Sequence, residues 1–301
     1  MSTYTAPAKE LQFVLEELAD LGAIAEFPGF EEATPELVEA VIEEAGKLAT
    51  DVLDPINWSG DQQGAQLIDG KVQAADGFAE AYQQFVESGW CSVNFPEEFG
   101  GQGLPFMVQS AATEIWNASN VSFALCPLLT AGAVEALLAH GSAELKSTYL
   151  EQMVSGNWTG TMNLTEPQAG SDLALVRTAA TPEGDRYRIK GQKVFITWGD
   201  HEMSENVIHL VLARLPDAPE GVKGISLFVV PKYMVNEDGS LGDRNDAYAI
   251  SLEHKMGIHG SPTCVMSFGD NDGAIGYLVG EENNGLACMF TMMNHARLEV
   301  G

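Results

Sequence analysis

Along the first 160 residues, apolar side chains recur at helical spacing. Leu11, Val14, Leu15 and Leu18 fall at i, i+3, i+4 and i+7 and predict one apolar helix face. Phe27-Pro28-Gly29 breaks that helix, and Thr34 followed by Pro35 reads as an N-cap and first-turn proline. Leu37, Val41, Leu48 and Val52 then predict a shared face on the next helix. Gly100-Gly101-Gln102-Gly103-Leu104-Pro105 lacks both a preceding strand and a following GK[ST], so a tight interhelical turn explains it better than a phosphate cradle. The pattern changes near Thr161. Tyr187 and Ile189 alternate with Arg186, Arg188 and Lys190, and Lys190-Gly191 reads as a hairpin turn leading into Val194-Phe195-Ile196-Thr197. Val207–Leu212, Ile225–Val230, Cys264–Phe268 and Ile275–Val279 are further short apolar runs between turn residues. Past Glu281-Glu282-Asn283-Asn284-Gly285 the spacing of Leu286, Met289, Phe290, Met293 and Arg297 is helical again. The predicted class is multi-domain α+β: a helical domain over 1–160, a central β-barrel or sandwich over 161–280, and over 281–301 the first helix of a second helical domain.

Charge narrows the possible partners. Fifteen basic against 43 acidic residues give a net charge of −28, which repels nucleic-acid phosphates and anionic lipid. Residues 1–54 alone carry 13 acids and two lysines, so the outer faces of the first helices are negative. Met1–Asp20, with one lysine and four acids, resembles neither a signal nor a transit peptide. The most apolar stretch, Val121–Ala139, contains Pro127, Gly132 and Glu135 and reads as a buried core helix rather than a membrane span. Cys91, Cys126, Cys264 and Cys288 form no CxxC pair and no metal-ligand spacing with the six histidines, so free thiols in a reducing, cytoplasmic setting are expected. His254 and His259 lie five apart on a glycine-rich loop without a third ligand, and are read as loop histidines.

Three ordered segments carry chemistry. They are Met162-Asn163-Leu164-Thr165-Glu166-Pro167-Gln168-Ala169-Gly170-Ser171-Asp172, then Gly191-Gln192-Lys193-Val194-Phe195-Ile196-Thr197, then His254 through Cys264. Each residue alone favours a structural reading: Gly-Ser-Asp is common in turns, and Thr in a strand usually reports β propensity. As an ordered set on a helix–sheet–helix chain, the segments resemble the flavin signature (TEP…GSD), the GQK-x-[WF]-I-T strand and the K-x-G-x-x-x-S loop of the acyl-CoA dehydrogenases. Pro96-Glu97-Glu98-Phe99-Gly100-Gly101 and Asn294-His295-Ala296-Arg297 fit the same family, and the acidic opening is similar to its extended subgroup.

The resemblance implies FAD as cofactor and α,β-dehydrogenation of a fatty or methylthio acyl-CoA thioester, with electrons passed to an electron-transfer flavoprotein. It places Thr165 and Thr197 at the N5/O4 side of the flavin, the Leu164 and Thr165 backbone along the pyrimidine edge, and Met162 among the cofactor-binding residues. Gly170 and Ser171 fall at the pyrophosphate and the acyl-CoA. Phe195, beside Ile196, stands against the isoalloxazine where many members carry tryptophan. Arg297 borders the acyl-CoA channel in an Asp-x-x-Arg pattern whose acid is replaced here by Asn294; a surface arginine is the equally weighted alternative. No metal is implied. The resemblance also implies a homodimer or homotetramer for the full-length protein and a proton-abstracting glutamate beyond Gly301, so that the 301 residues alone would be inactive. Glu166 and Asp172 read as poor substitutes, lacking the burial that raises a base's pKa. Acyl-CoA oxidase and a non-catalytic flavin- or acyl-CoA-binding fragment are the alternatives. A DNA-binding relative would need the basic surface that this composition lacks.

Overall fold

The structure, a computed structural model, describes residues 4–301. Its helical part runs through Ala8–Phe13 (α1), Leu21–Ala25 (α2), Pro35–Leu48 (α3), Asp54–Gln63 (α4), Phe78–Glu87 (α5), Phe106–His140 (α6) and Ala143–Val154 (α7). A small hairpin, Gln66–Ile68 (β1) and Lys71–Gln73 (β2), interrupts it. Its Asp69-Gly70 turn has both residues at positive φ, a strong hairpin signal that the helical reading of this region passed over. Thr34 caps α3 as expected, its Oγ1 accepting the Leu37 N–H with Pro35 in the first turn.

Two of the expected helix faces are corrected. Leu11 and Leu15 are buried, but Val14 and Leu18 are exposed; on the next helix Leu48 is buried and Val41 and Val52 pack half-buried on the same core as expected, but Leu37 is exposed and Val38 takes its place beside Ile42, Ala45, Ala49 and Leu53. The reason is local. Val14–Leu18 and Ala49–Leu53 are π-helical, and across the first of these α-helical spacing does not hold; Leu37 lies in regular α-helix, one position before the Val38, Ile42 and Ala45 face.

The last residue of the widened turn at Ala49–Leu53 receives a bond from the longest helix. Asn120 interrupts α6 with non-helical φ/ψ; its Nδ2 donates to Leu53 O at 3.1 Å while its Oδ1 accepts the Phe123 N–H at 3.2 Å, so one buried amide caps the second half of α6 and ties the first helices to it. By length and composition α6 could cross a membrane. Here 67% of its most apolar window is buried against α3, α7, the sheet and the last helix, which makes it a core helix.

The sheet begins with Trp158–Asn163 (β3), followed by Ala179–Glu183 (β4), Arg186–Thr197 (β5), Asn206–Arg214 (β6), Ile225–Pro231 (β7), Tyr233–Val235 (β8), Leu241–Arg244 (β9), Ala247–Leu252 (β10), Thr263–Phe268 (β11) and Ala274–Val279 (β12). β5 pairs β12, β12 pairs β7, β7 pairs β6, and β4 joins β6 back to β5, which closes a small barrel. β3 lies parallel outside β6, and β11 and β10 extend from the far half of β5. Gly285–Val300 (α8) packs along α6.

Lys190-Gly191 is not a turn. β5 runs through it, and the hairpin turns at Gly184-Asp185 instead. Glycine is needed at 191 for space: a Cβ there would lie 2.4 Å from Thr178 Oγ1 and 2.8 Å from its Cα. Gly191→Ala is therefore expected to destabilise the barrel by about 1–3 kcal/mol. Urea denaturation should show a lower midpoint, and an unchanged midpoint would mean that β4 and β5 separate freely.

Candidate functional site

β3 carries Met162 and Asn163 to the barrel rim, where the chain leaves the sheet as Leu164-Thr165. Glu166 and Ala169 then exchange both backbone hydrogen bonds, folding Pro167 and Gln168 into a tight loop that leads to exposed Gly170 and Ser171. Asp172 Oδ1 accepts the Ala174 N–H and starts a single 3-10 turn, the capping role read for it from sequence.

The loop is joined to β5 by buried polar bonds. Lys193, fully buried, places its Nζ 2.8 Å from Glu166 Oε1 and donates to Leu164 O at 2.9 Å. The next residue, Val194, donates its N–H to Thr165 O at 2.9 Å. Glu166 also accepts the N–H groups of Arg177 and Thr178 and an amide hydrogen of Gln168. The expectation that Glu166 lacks burial is thus corrected: it is 4% exposed. Burial by itself would raise its pKa, but the Lys193 ammonium and the N–H donors outweigh that and bring it down to about 2, far from a general base's working range.

Beyond Lys193, β5 bulges. Ile196 faces Cys264 and Lys193 faces Met266, so Val194 and Phe195 together oppose Val265 alone. Phe195 takes a left-handed backbone, φ 62°, and its ring stands 61% exposed while its neighbours Val194 and Ile196 are buried. An outward aromatic on a strained backbone, held by a bulge, is unusual for a residue that could have packed inward. Thr197, two residues on, and Thr165, across the Val194 bond, are half-buried, and Ser171 is exposed. Phe195 is thus an exposed ring on the strand end to which the Thr165 loop is bonded, with Thr197 two residues beyond it.

The structure therefore brings together Met162, Leu164 and Thr165 with Phe195, Ile196 and Thr197, and sets Gly170 and Ser171 at the end of the same loop. Asn294 and Arg297 are not joined to this group by side-chain hydrogen bonds. They lie exposed on α8, where Arg297 Nη1 donates to Asn294 Oδ1 at 2.8 Å. Leu164, Ala169 and Val176 share a core cluster with Met289 and Met292 of that helix, so α8 and the loop are braced by one apolar mass.

The third motif shapes a neighbouring corner. Trp198, φ 52°, donates its backbone N–H to Pro262 O at 2.7 Å and its indole N–H to Ser122 O of α6 at 3.0 Å. Lys255 Nζ bonds Ser261 O. His259 engages Asp61 O and Lys255 O with its two ring nitrogens, the loop role expected of it. No group of three or more metal-ligating side chains occurs among the described residues. Cys264 is fully buried, its thiol pushed up to about 12 by burial.

Sequence reasoning missed a second buried ionic group below Trp198. Asp200 pairs with Lys232 at 2.6 Å and Arg244 at 3.3 Å, while Lys232 Nζ bonds His201 O. His201 and His209, buried against Thr159 and Thr161, are driven down to about 3 and stay neutral. Nothing in the spacing of these residues links them; only barrel closure does.

Residues 37–157 match the acyl-CoA dehydrogenase N-terminal domain and 161–271 the middle domain of the same family. The chain belongs to the acyl-CoA dehydrogenase family. It is 50% identical over 300 residues to the 3-methylmercaptopropionyl-CoA dehydrogenase of Ruegeria pomeroyi, covering 99% of this chain and 50% of that protein. A butyryl-CoA dehydrogenase of Syntrophomonas wolfei is 37% identical, again over 99% of this chain and 50% of its own. The chain thus spans about half the length of these curated relatives. Among solved structures, Caenorhabditis elegans ACDH-11 in complex with C11-CoA superposes with a TM-score of 0.77 at 23% identity, covering 99% of this chain and 50% of that one, a likeness of fold.

The buried pair makes a stability prediction. Glu166→Gln removes the counter-charge of Lys193, whose pKa burial already brings down to about 8, and should cost about 3–5 kcal/mol, whereas Lys193→Met combined with Glu166→Gln should cost less. The sign with pH follows from a folded-state pKa near 2 against an ordinary value of 4.5. Stability from Glu166, on the order of 3 kcal/mol, is complete above the ordinary value and is lost as pH falls toward the folded one. Urea midpoints measured from pH 6 to pH 2.5 should fall less steeply for Glu166→Gln than for the parent; parallel curves would show that Glu166 is not held ionised.

Proposed function

We propose that this chain forms the flavin- and thioester-facing part of an FAD-dependent acyl-CoA dehydrogenase that desaturates a short acyl-CoA or methylthio-acyl-CoA between Cα and Cβ. The observation that carries the reading is Phe195, held outward on a left-handed bulge beside Thr165 by the Lys193–Glu166 frame. FAD, when bound, supplies the hydride acceptor. The protein's own residues account for its placement: Phe195 offers an apolar plane, and Thr165 and Thr197 offer stiff β-branched hydroxyls toward the edge where negative charge develops. Ser171, exposed at the end of the loop, offers a hydroxyl to phosphate or to the pantetheine portion of the thioester.

Proton abstraction from Cα needs a base near neutral pKa. Glu166 is held ionised by four donors, and Asp172 is occupied as a cap, so the reading assigns the base to a glutamate other than these. The substrate preference rests on the relatives named above. An electron-transfer flavoprotein as acceptor, a cytoplasmic location and a homodimeric or homotetrameric assembly complete the proposal.

The test is spectroscopic. The purified protein mixed with FAD should retain the flavin through gel filtration, and its visible spectrum should change when butyryl-CoA or 3-methylthiopropanoyl-CoA is added. Thr165→Val should keep the flavin and the urea midpoint but lose one hydrogen bond to a developing anion, about 1.5–3 kcal/mol, read as a lower flavin potential. An unaltered potential would return Thr165 to a structural role. Ser171→Leu should weaken FAD retention, and stoichiometric flavin in that variant would remove Ser171 from the phosphate contact.

A further inference from the structure

We propose that Lys193 and Glu166 are positioning residues that set the electron affinity of the bound flavin by fixing the direction of the Leu164–Thr165 peptide; this rests on the flavin reading above. The geometry begins with Lys193 Nζ, which lies 2.9 Å from Leu164 O and 2.8 Å from Glu166 Oε1 inside the protein. No cis peptide bond occurs among the described residues, so the Leu164 carbonyl and the Thr165 N–H point to opposite sides of one planar unit. Drawing the carbonyl inward to a fully buried ammonium turns the Thr165 N–H away from the core. The following carbonyl, Thr165 O, is held by Val194 N–H at 2.9 Å. Two consecutive β5 residues thus fix both peptide planes around Thr165, and Phe195 comes next on the same strand.

The direction of one N–H matters because a preorganised donor holds the reduced, more negative form of a ring edge more tightly than the oxidised form. The same donor left free to rotate would reorient at a cost on each reduction. Lys193 is suited to this work because it is anchored: its counter-ion is itself fixed by backbone N–H groups from Arg177 and Thr178. Glu166 serves a second purpose. It cancels the lysine's charge, so the orienting cation adds little net field of its own to the site.

A merely structural pair and a positioning pair give different results. Lys193→Met with Glu166→Gln keeps approximate volume and leaves no unpaired charge, so the double variant should fold and retain FAD. We expect its flavin midpoint potential, measured by dye-equilibrated reductive titration, to be lower than that of the parent, with a shifted visible spectrum. Glu166→Gln alone retains the Lys193 amine as a donor to Leu164 O, so its potential should lie closer to the parent's than the double variant's does, although its urea midpoint falls. Lys193→Arg, which preserves a cationic donor, should lie closer to the parent than the double variant does. Equal potentials in the double variant and the parent, or an equal fall in Glu166→Gln and the double variant, would overturn the proposal while leaving FAD binding intact. A parent protein that retains no FAD would instead overturn the flavin reading, and the proposal with it.

Discussion

The candidate site depends on one buried ion pair. Lys193 and Glu166 come from motifs separated by the whole β4 hairpin, and without their contact the loop after β3 would have no fixed relation to the bulged end of β5. The pair is well made by the usual criteria for burial of charge: the ammonium has a carboxylate and a carbonyl, and the carboxylate has four donors. Desolvating both ions costs several kcal/mol, so such a pair is weak evidence for stability as such. Its directional bonds are the better explanation for its presence, since an apolar pair could fill the space but could not orient the Leu164 carbonyl.

Backbone strain gathers at the same corner. Six non-glycine residues among those described have positive φ. Asp20, Asp69 and Asn283 are of the types that tolerate it, with short polar side chains that bond locally. The other three, Phe195, Trp198 and Ile258, are bulky, and Trp198 is bonded to Pro262 at the end of the loop that holds Ile258. Each such residue costs on the order of 1–3 kcal/mol unless its surroundings over-determine it. The surroundings here do: Lys193–Glu166 on one side, Asp200–Lys232–Arg244 on the other, and the indole N–H of Trp198 on α6.

Much of this was legible in the sequence, for identifiable reasons. The strands Val207–Leu212 and Ile225–Val230 are wholly buried on both faces, so they appear as continuous apolar runs that need no tertiary knowledge. Thr34-Pro35 reports a cap through local chemistry alone. The failures share the opposite property. Val14 and Leu18 were assigned inward because α-helical spacing was assumed across a segment that carries a π turn, and Leu37 because it and Val38 are adjacent apolar residues that periodicity alone does not rank. Gly191 resembled a turn because glycine has two uses, positive φ and close approach, and only the position of Thr178 distinguishes them. Glu166 appeared to be a loop acid because its partner lies 27 residues away on another strand. Motif order placed Thr165, Phe195 and Thr197 in one set, but the bulge that turns Phe195 outward is a pairing irregularity between β5 and β11, invisible in either strand alone.

The helical domain takes part in the site by the same logic of shared bonds. The break at Asn120 divides α6, and Ser122, two residues on, carries the carbonyl that receives the Trp198 indole. Asn120 is itself held by Leu53 O, a carbonyl of the π turn that follows α3. A chain of three buried bonds therefore runs from the widened turn, through the kink, to the strained end of β5. Without the Asn120 amide, both the tie to Leu53 and the cap on the Phe123 N–H would be lost. The irregularities of the helical domain are thus part of how the outward face of β5 is held, and the two domains fit together as one support for it.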